Sequence, residues 1–418
     1  MVADLKAVLD RRFGVHEYLI WSTVIAALML VPIRGTFFFG YVIVIFNIIM
    51  LLALDRLTVH RNHMIAILLL AGFSLIGASA AGTPLNAPVS QLLGISLLSI
   101  YFFCALTSLG PSLNRWIEIY MRAAFIIAIF GLLKWGFGHV FHAGDPRLIS
   151  IYSEPSYFVY VTLPAIGYCA NVYISERRYG WETIIFLLSY ALADSLLGFL
   201  GLLLIGVLIF GPRLKGWQFL VGGIAACGLI AVVYFASGNV RSRADEFAVA
   251  IAKQDLSGSG NTTFAFLSNV YVTSQSFLAH PFTGIGLGGY ANAYDKYIGG
   301  ILGTDSLANA GQDLNNSNFE LNRYDAASML LRVTAELGLP GLTVLFVFLI
   351  ACARVRGQAY VTLRNAILPY LIVRMTRMGH YFTVELYFFV GIYLLNYLNY
   401  LGERQQDNLE KKVSGEYA

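Results

Sequence analysis

Arginine is the residue type in this sequence with the most chemistry to explain. Arg34, Arg147, Arg241, Arg243, Arg323, Arg332, Arg374 and Arg377 fall in, or at the edges of, the polar connections on one side of a very apolar chain. A guanidinium presents paired donors to phosphate oxygens and keeps its charge, so several converging side chains would hold a diphosphate without a metal. The plainer reading has them reach lipid head groups or pair with Asp245, Glu246 and Asp325. Arg332 differs from the others. It lies early in an apolar run, with Ser328 and Glu336 four residues away on either side and so on one helical face. An ionisable pair at membrane depth is a functional expectation, and a structural ion pair is its alternative.

Two further segments carry candidates. In Ser153-Glu154-Pro155-Ser156-Tyr157-Phe158, proline suits the first turn of a helix and Ser153 suits its cap. Glu154 is then either a carboxylate favoured by the helix N-terminus or a general base at a cavity mouth. The segment from Ala279 to Tyr290 combines His280 with a run of glycines. No strand precedes it, so a dinucleotide fold is excluded, and the glycines let the backbone approach another segment or a ligand closely. His280 is a loop histidine or a substrate contact. The sequence from 237 to 327 has no D-x-D, H-E-x-x-H or C-x-x-C, and the chain has no Walker A motif. No metal, no cofactor and no ATP drive is therefore expected.

The elements that must position these residues are membrane helices. The 418 residues are 57% hydrophobic and only 12% charged, with a mean hydropathy of +0.67, where soluble chains carry about a quarter charged residues. The net charge of +4 is small and dispersed, which gives no basis for nucleic-acid binding. Cys104, Cys169, Cys227 and Cys352 lie in or at the ends of apolar runs without metal-ligand spacing and read as packing residues. The first apolar run has no small-residue cleavage site and reads as a retained span.

Apolar runs place helices near 15–33, 37–54, 63–80, 88–108, 118–140, 155–174, 181–193, 196–212, 216–236, 328–351, 359–376 and 380–401. Twelve spans is the best count, with ten or fourteen as alternatives. The pair 181–193 and 196–212 is best read as a short hairpin with Asp194 and Ser195 at its tip, in a water-filled cavity. With the N-terminus in the cytoplasm, inside connections collect Arg56, Arg61, Arg115, Arg177, Arg178, Arg213, Lys215, Arg354, Arg356 and Arg364, and the tail adds Arg404, Lys411 and Lys412. The short outside connections hold only Arg34, Arg147, Arg374 and Arg377, so the positive-inside rule puts both termini in the cytoplasm. The organisation expected is an all-α bundle: spans one to nine over 1–236, a large periplasmic loop over 237–327 with helices at 241–254 and 262–279, spans ten to twelve over 328–401, and a cytoplasmic tail over 402–418.

Three segments in order, SEPSYF, HPFTGIGLGGY and SMLLRVTAELGLPGL, resemble the bacterial O-antigen polymerase (Wzy) and O-antigen ligase superfamily of GT-C-like membrane glycosyltransferases, over roughly 145–350. The resemblance implies an inner-membrane enzyme that uses glycans carried on undecaprenyl diphosphate and transfers them outside the cytoplasm without a metal. A chain-length regulator and a flippase are its implied partners. The ligase branch has a motif similar to H-N-x-x-L-x-x-x-x-E-x-G-x-x-G. Leu331, Glu336, Gly338 and Gly341 match it, while Ala327 and Ser328 stand where the histidine and asparagine would be. That departure favours a polymerase of repeat units over a ligase.

On this resemblance, a sugar hydroxyl of one lipid-linked repeat attacks C1 of another lipid-linked glycan, with inversion and departure of undecaprenyl diphosphate. Arg147, Arg323, Arg332 and Arg243 are the expected diphosphate ligands, with Arg34, Arg377 and His280 as further candidates. Glu154 is the first candidate base. Asp325, two residues before the position of the ligase histidine, is the second. A transferase of finished glycan and a lipid-linked oligosaccharide transporter are the competing functions, the latter disfavoured by the lack of an internal repeat.

Overall fold

The computed structural model describes residues 14–34, 37–110, 112–141, 147–214, 238–253, 261–300, 323–324 and 326–413, with isolated positions between 217 and 235. Among the described residues the chain is all-helical apart from one small antiparallel ladder. α1 (Val15–Leu28) leads through β1 (Pro32–Arg34) and β2 (Phe37–Phe38) to α2 (Phe39–Ala53), α3 (Arg61–Ala81), α4 (Asn86–Ser108), α5 (Leu113–Val140) and α6 (Pro155–Glu176). There follow α7 (Gly180–Ala193), α8 (Leu196–Phe210), α9 (Gly238–Lys253), α10 (Asn261–Ala279), α11 (Tyr290–Tyr297), α12 (Met329–Ala353), α13 (Gln358–Arg377) and α14 (Val384–Val413).

Local chemistry sets the helix ends. Ser112 and Ser328 accept from Arg115 N and Leu331 N at the starts of α5 and α12, satisfying donors that have no partner within the helix. Gly82 closes α3 in the left-handed conformation. Pro155 occupies the first turn of α6, but its N-cap is Glu154 and no side chain caps it; Ser156 Oγ instead donates to Glu154 Oε2 at 2.9 Å. The expected Ser153 cap therefore does not form.

Among the described residues, six helices are long and apolar enough to cross a membrane: α3, α4, α5, α6, α12 and α8 with its last short turn to Arg213. The protein is accordingly a membrane protein. α1, α2 and α7 are apolar but have only 14 or 15 residues, about 21 to 23 Å at 1.5 Å per residue. Eleven of the twelve apolar runs read from the sequence are helical, and 216–236 lies largely outside the described residues. α1 stops at Leu28, short of 33, because Pro32–Arg34 pairs with Phe37–Phe38. α14 continues to Val413, twelve residues past 401, and is exposed over 402–410. Asp194, in the left-handed conformation, and Ser195 do form the turn between α7 and α8.

α6 and α13 form the centre. They pack closely enough that a Cβ on Gly167 would stand 3.0 Å from Ala366 Cα. α14 adds Phe388 and Phe389, whose rings meet Tyr120 and Tyr370; the Tyr120–Phe389 and Tyr370–Phe389 centroids are 4.8 and 4.7 Å apart. α1, α2 and α4 are joined by a buried polar relay in which Ser22 Oγ donates to Asn47 Oδ1, Asn47 Nδ2 donates to Tyr101 OH, and Tyr101 meets Thr23 Oγ1. Such bonds hold helices together where apolar contact alone has no advantage over lipid. Cys104, Cys169 and Cys352 are buried free thiols.

The ends of α1, α3, α5, α7 and α13 and the starts of α2, α4, α6, α8, α12 and α14 share one end of the bundle, called the upper end below. Cross-links at that end fix the arrangement: Tyr152 OH donates to Leu28 O, Leu148 N to Leu192 O, Tyr41 OH to Phe382 O, and Ser328 Oγ to Met375 O.

Candidate functional site

The upper end is built around a break in α12. Gly338 has φ 59° and ψ −154°, outside helical geometry, and Pro340 follows it. Pro340 has no N–H, so the Glu336 carbonyl loses its helical donor. The Leu339 N–H is diverted to Pro281 O at 2.8 Å, which frees the Ala335 carbonyl as well. The glycine-rich loop supplies both missing donors. Ile285 N donates to Ala335 O and Gly286 N to Glu336 O, each at 3.0 Å. Gly286 adopts φ 78°, and a Cβ there would stand 2.6 Å from Ala78 N on α3. Only glycine fits that conformation and that gap.

The Glu336 side chain continues the same joint. Oε1 accepts from Gly288 N at 3.0 Å and from Arg332 Nε at 3.1 Å. Arg332 also donates to Gly379 O at 3.1 Å, and its guanidinium lies 4.4 Å from the Tyr381 ring centroid. The i,i+4 pair read from the sequence therefore forms, and it ties the glycine loop to the turn between α13 and α14. Glu336 and Arg332 are 0% and 2% exposed. The Tyr381 hydroxyl also interacts with the Glu336 carboxylate.

A second buried pair grips that turn from the other side. Arg374 Nε lies 3.6 Å from Glu385 Oε1. Its remaining donors go to Met378 O, to His380 O at 2.7 Å and to Thr383 Oγ1 at 2.7 Å, and Tyr370 OH donates to Glu385 at 3.4 Å. Two arginines thus hold the carbonyls of Met378, Gly379 and His380. This leaves Arg377 half-buried on the last turn of α13, with its charge reaching the Tyr160 phenol on α6.

Residues 147–154 form the third part. Lys134 Nζ donates to Ser150 O and Ser150 Oγ to Ile127 O, each at 2.7 Å. Burial and the nearby Glu385 charge push the Tyr152 phenol well above its ordinary value, so it remains a hydrogen-bond donor. These anchors present Arg147 half-buried and Glu154 exposed at the start of α6, where Phe38 packs against Tyr157 with centroids 6.4 Å apart.

The expected site residues are therefore not all in one place. Glu154, Arg147 and Arg377 occupy the upper surface, whereas Arg332 lies beneath it with Glu336. Arg323 is held by Asp295, with Nε–Oδ1 at 2.7 Å, and its guanidinium lies over Tyr324. His280 is half-buried at the bottom of the glycine loop. Asp325 and the side chains of Arg34 and Arg243 lie outside the described residues. Glu385 and Tyr381 were missed by the sequence reading, and Gly288 was covered only by the expectation that the glycine run lets the backbone approach another segment. An acidic residue inside the apolar run YFTVELYFF was the available signal for Glu385; nothing local marked Tyr381. Compared with known proteins, the chain matches no family model, no curated protein and no solved structure.

Proposed function

We propose that the chain is a polymerase of undecaprenyl-diphosphate-linked oligosaccharide repeats, with twelve spans in a bacterial inner membrane, both termini in the cytoplasm and the upper end facing the periplasm. The observation that carries this reading is the joint between the glycine loop and the broken α12. These are two of the three segments on which the family resemblance rests, and they form one hydrogen-bonded unit. The third, around Glu154, opens at the same end of the bundle.

In this reading Glu154, or Asp325, takes the proton of the acceptor hydroxyl. The hydroxyl oxygen forms its bond to C1 of the donor glycan from the face opposite the diphosphate. The C1–O bond breaks with inversion, and its electron pair leaves on the undecaprenyl diphosphate. Arg147 and Arg377, both half-buried at the upper surface, stabilise that charge, joined by Arg323 when it exchanges Asp295 for phosphate. Arg332 is reassigned. Its donors already serve Glu336 and Gly379, so it positions the turn that carries Arg377 instead of touching the diphosphate.

Deletion of the protein, followed by sizing of lipid-linked and surface glycan, tests the proposal. Single repeats accumulating on the carrier are expected. Polymerised glycan stranded on the carrier would instead assign transfer of finished chains, and an unchanged ladder would end both readings.

A further inference from the structure

α10 and the glycine loop occupy a depth that the polar composition of 237–327 does not suggest. Asn269 is level with the upper end of α3. Its side-chain oxygen accepts from Tyr290 OH at 2.8 Å, and Gly289, next to Tyr290, lies against Thr83, two residues beyond α3. From Asn269 the helix runs ten more residues to Ala279, which is about 15 Å at 1.5 Å per residue. At the bottom of the loop Pro281 O takes the N–H of Leu339, ten residues below the start of α12 and again about 15 Å. On α3, Ser74 Oγ takes the N–H of Leu287 at 2.9 Å, seven residues below Ala81 and about 10 Å. Three separate helices thus place the loop about 10 to 15 Å below the upper end. That is up to half of a hydrocarbon core about 30 Å thick.

The returning half of the loop, 284–289, is hydrogen-bonded as completely as such a position requires. Every backbone N–H from Gly284 to Gly289 has a protein acceptor, in order His280 O, Ala335 O, Glu336 O, Ser74 Oγ, Glu336 Oε1 and Gly286 O. A loop in water can leave such groups to solvent. Non-helical backbone at membrane depth cannot, and persists only where protein or enclosed water satisfies it. The outward side chains agree. Leu278 and Phe282 are 73% and 68% exposed, continuing the exposed apolar faces of the two membrane-length helices that flank them, through Leu69 and Ile76 on α3 and Leu339 and Val344 on α12.

We propose that Asn269–Gly289 is a re-entrant helix and turn, which enters the bilayer from the upper side, turns about half-way through it with Leu278 and Phe282 against lipid acyl chains, and returns along α3. The proposal requires only that α3 and α12 span the membrane, and it stands whether or not the chain is a glycan polymerase.

The test is collision accessibility of spin labels in the full chain, reconstituted in phosphatidylcholine–phosphatidylglycerol vesicles. Cys104, Cys169, Cys227 and Cys352 are replaced by alanine, and labels are placed singly through Leu278→Cys, Phe282→Cys, Val344→Cys and Lys296→Cys. Labels at 278 and 282 should match 344, with high collision with oxygen and low collision with a water-soluble nickel chelate. The label at 296, exposed on α11, should show the reverse. Nickel access at 278 and 282 equal to that at 296 would overturn the proposal. Exclusion of both reagents, the signature of a protein interface, would also overturn it. If the cysteine-free chain fails to fold, replacement of Cys227 alone leaves the three buried thiols in place and the same labels are read.

Discussion

The carbonyl of Glu336 accepts from Gly286 N at 3.0 Å, in the position where a continuous helix would use the N–H of residue 340. Residue 340 is proline. The break in α12 and the insertion of the glycine loop are therefore one feature: the helix gives up two donors and the loop restores them. Each half explains the other, because an interior proline without the loop would leave a carbonyl unsatisfied at membrane depth.

This coupling makes Gly286 intolerant of substitution. Gly286→Val adds the cost of a left-handed conformation, about 1–2 kcal/mol, to a clash with Ala78 and Ser74 on α3. The loop is expected to leave its groove, seen as new protease cleavage within 280–290, with a loss of thermal stability and of long-chain glycan. Gly136, on α5, has open space at its Cβ position, so Gly136→Ala is the control that should leave all three unchanged.

Glu336 and Arg332 should behave as a coupled pair. Glu336→Leu leaves the Arg332 charge buried, and Arg332→Met leaves a buried carboxylate; each single change is expected to cost about 3–5 kcal/mol. The double change removes both charges, and its cost should fall well below the sum of the singles, although Gly288 N and Gly379 O lose their partners. A double-mutant cycle on thermal unfolding in lipid nanodiscs measures the coupling. Additive costs would mean that the pair does not act as one unit.

How much of this was legible in the sequence depended on whether the controlling interaction was local. Arg332 and Glu336 were readable as a pair because four residues make one turn of helix. The hairpin tip at Asp194 and Ser195 was readable because charge and polarity interrupt an apolar run. Gly288 meeting Glu336 across 48 residues and Arg374 meeting Glu385 across a turn were not. In both cases the spacing is set by how separate elements pack. Composition also hid the loop's depth: 281–289 is rich in glycine and reads as aqueous, while every N–H from Gly284 to Gly289 is spent on a protein acceptor.

Arg374→Lys tests whether geometry or charge holds the α13–α14 turn. A lysine keeps the charge beside Glu385 but cannot reproduce a planar fork that serves Met378 O, His380 O and Thr383 Oγ1 together. Stability should fall by about 1–3 kcal/mol, since buried carbonyls are left without donors, and glycan elongation should fall with it. Equal stability of the lysine variant and the native chain would show that charge alone suffices.

Tyr152 should give a pH-dependent contribution with a defined sign. Its phenol is raised in the folded state by burial and by the Glu385 charge, so the folded chain holds this proton more tightly than the unfolded one. The difference is fully present below the unfolded value near 10 and is lost as pH rises above it, because the unfolded state then gains by ionising. Tyr152→Phe removes the bond to Leu28 O and should cost about 1 kcal/mol at neutral pH. The gap between variant and native chain should narrow as pH rises past 10, measured as thermal unfolding across pH 7 to 11. A gap that stays constant would mean that Tyr152 does not titrate differently on folding.

The proposed reaction places its sharpest demand on Arg147 and Arg377, both half-buried at the upper surface. Arg147→Ala and Arg377→Ala should each reduce long-chain glycan by about two orders of magnitude, the loss typical of removing one group that stabilises transition-state charge, at normal protein level and thermal stability. Arg332→Ala should also reduce glycan, but together with stability, because its partners are Glu336 and the carbonyl of Gly379. That separation distinguishes a residue that meets the diphosphate from one that shapes the surface presenting it. Full-length glycan from Arg147→Ala would remove Arg147 from the mechanism and leave Arg377 and Arg323 to carry the leaving-group charge.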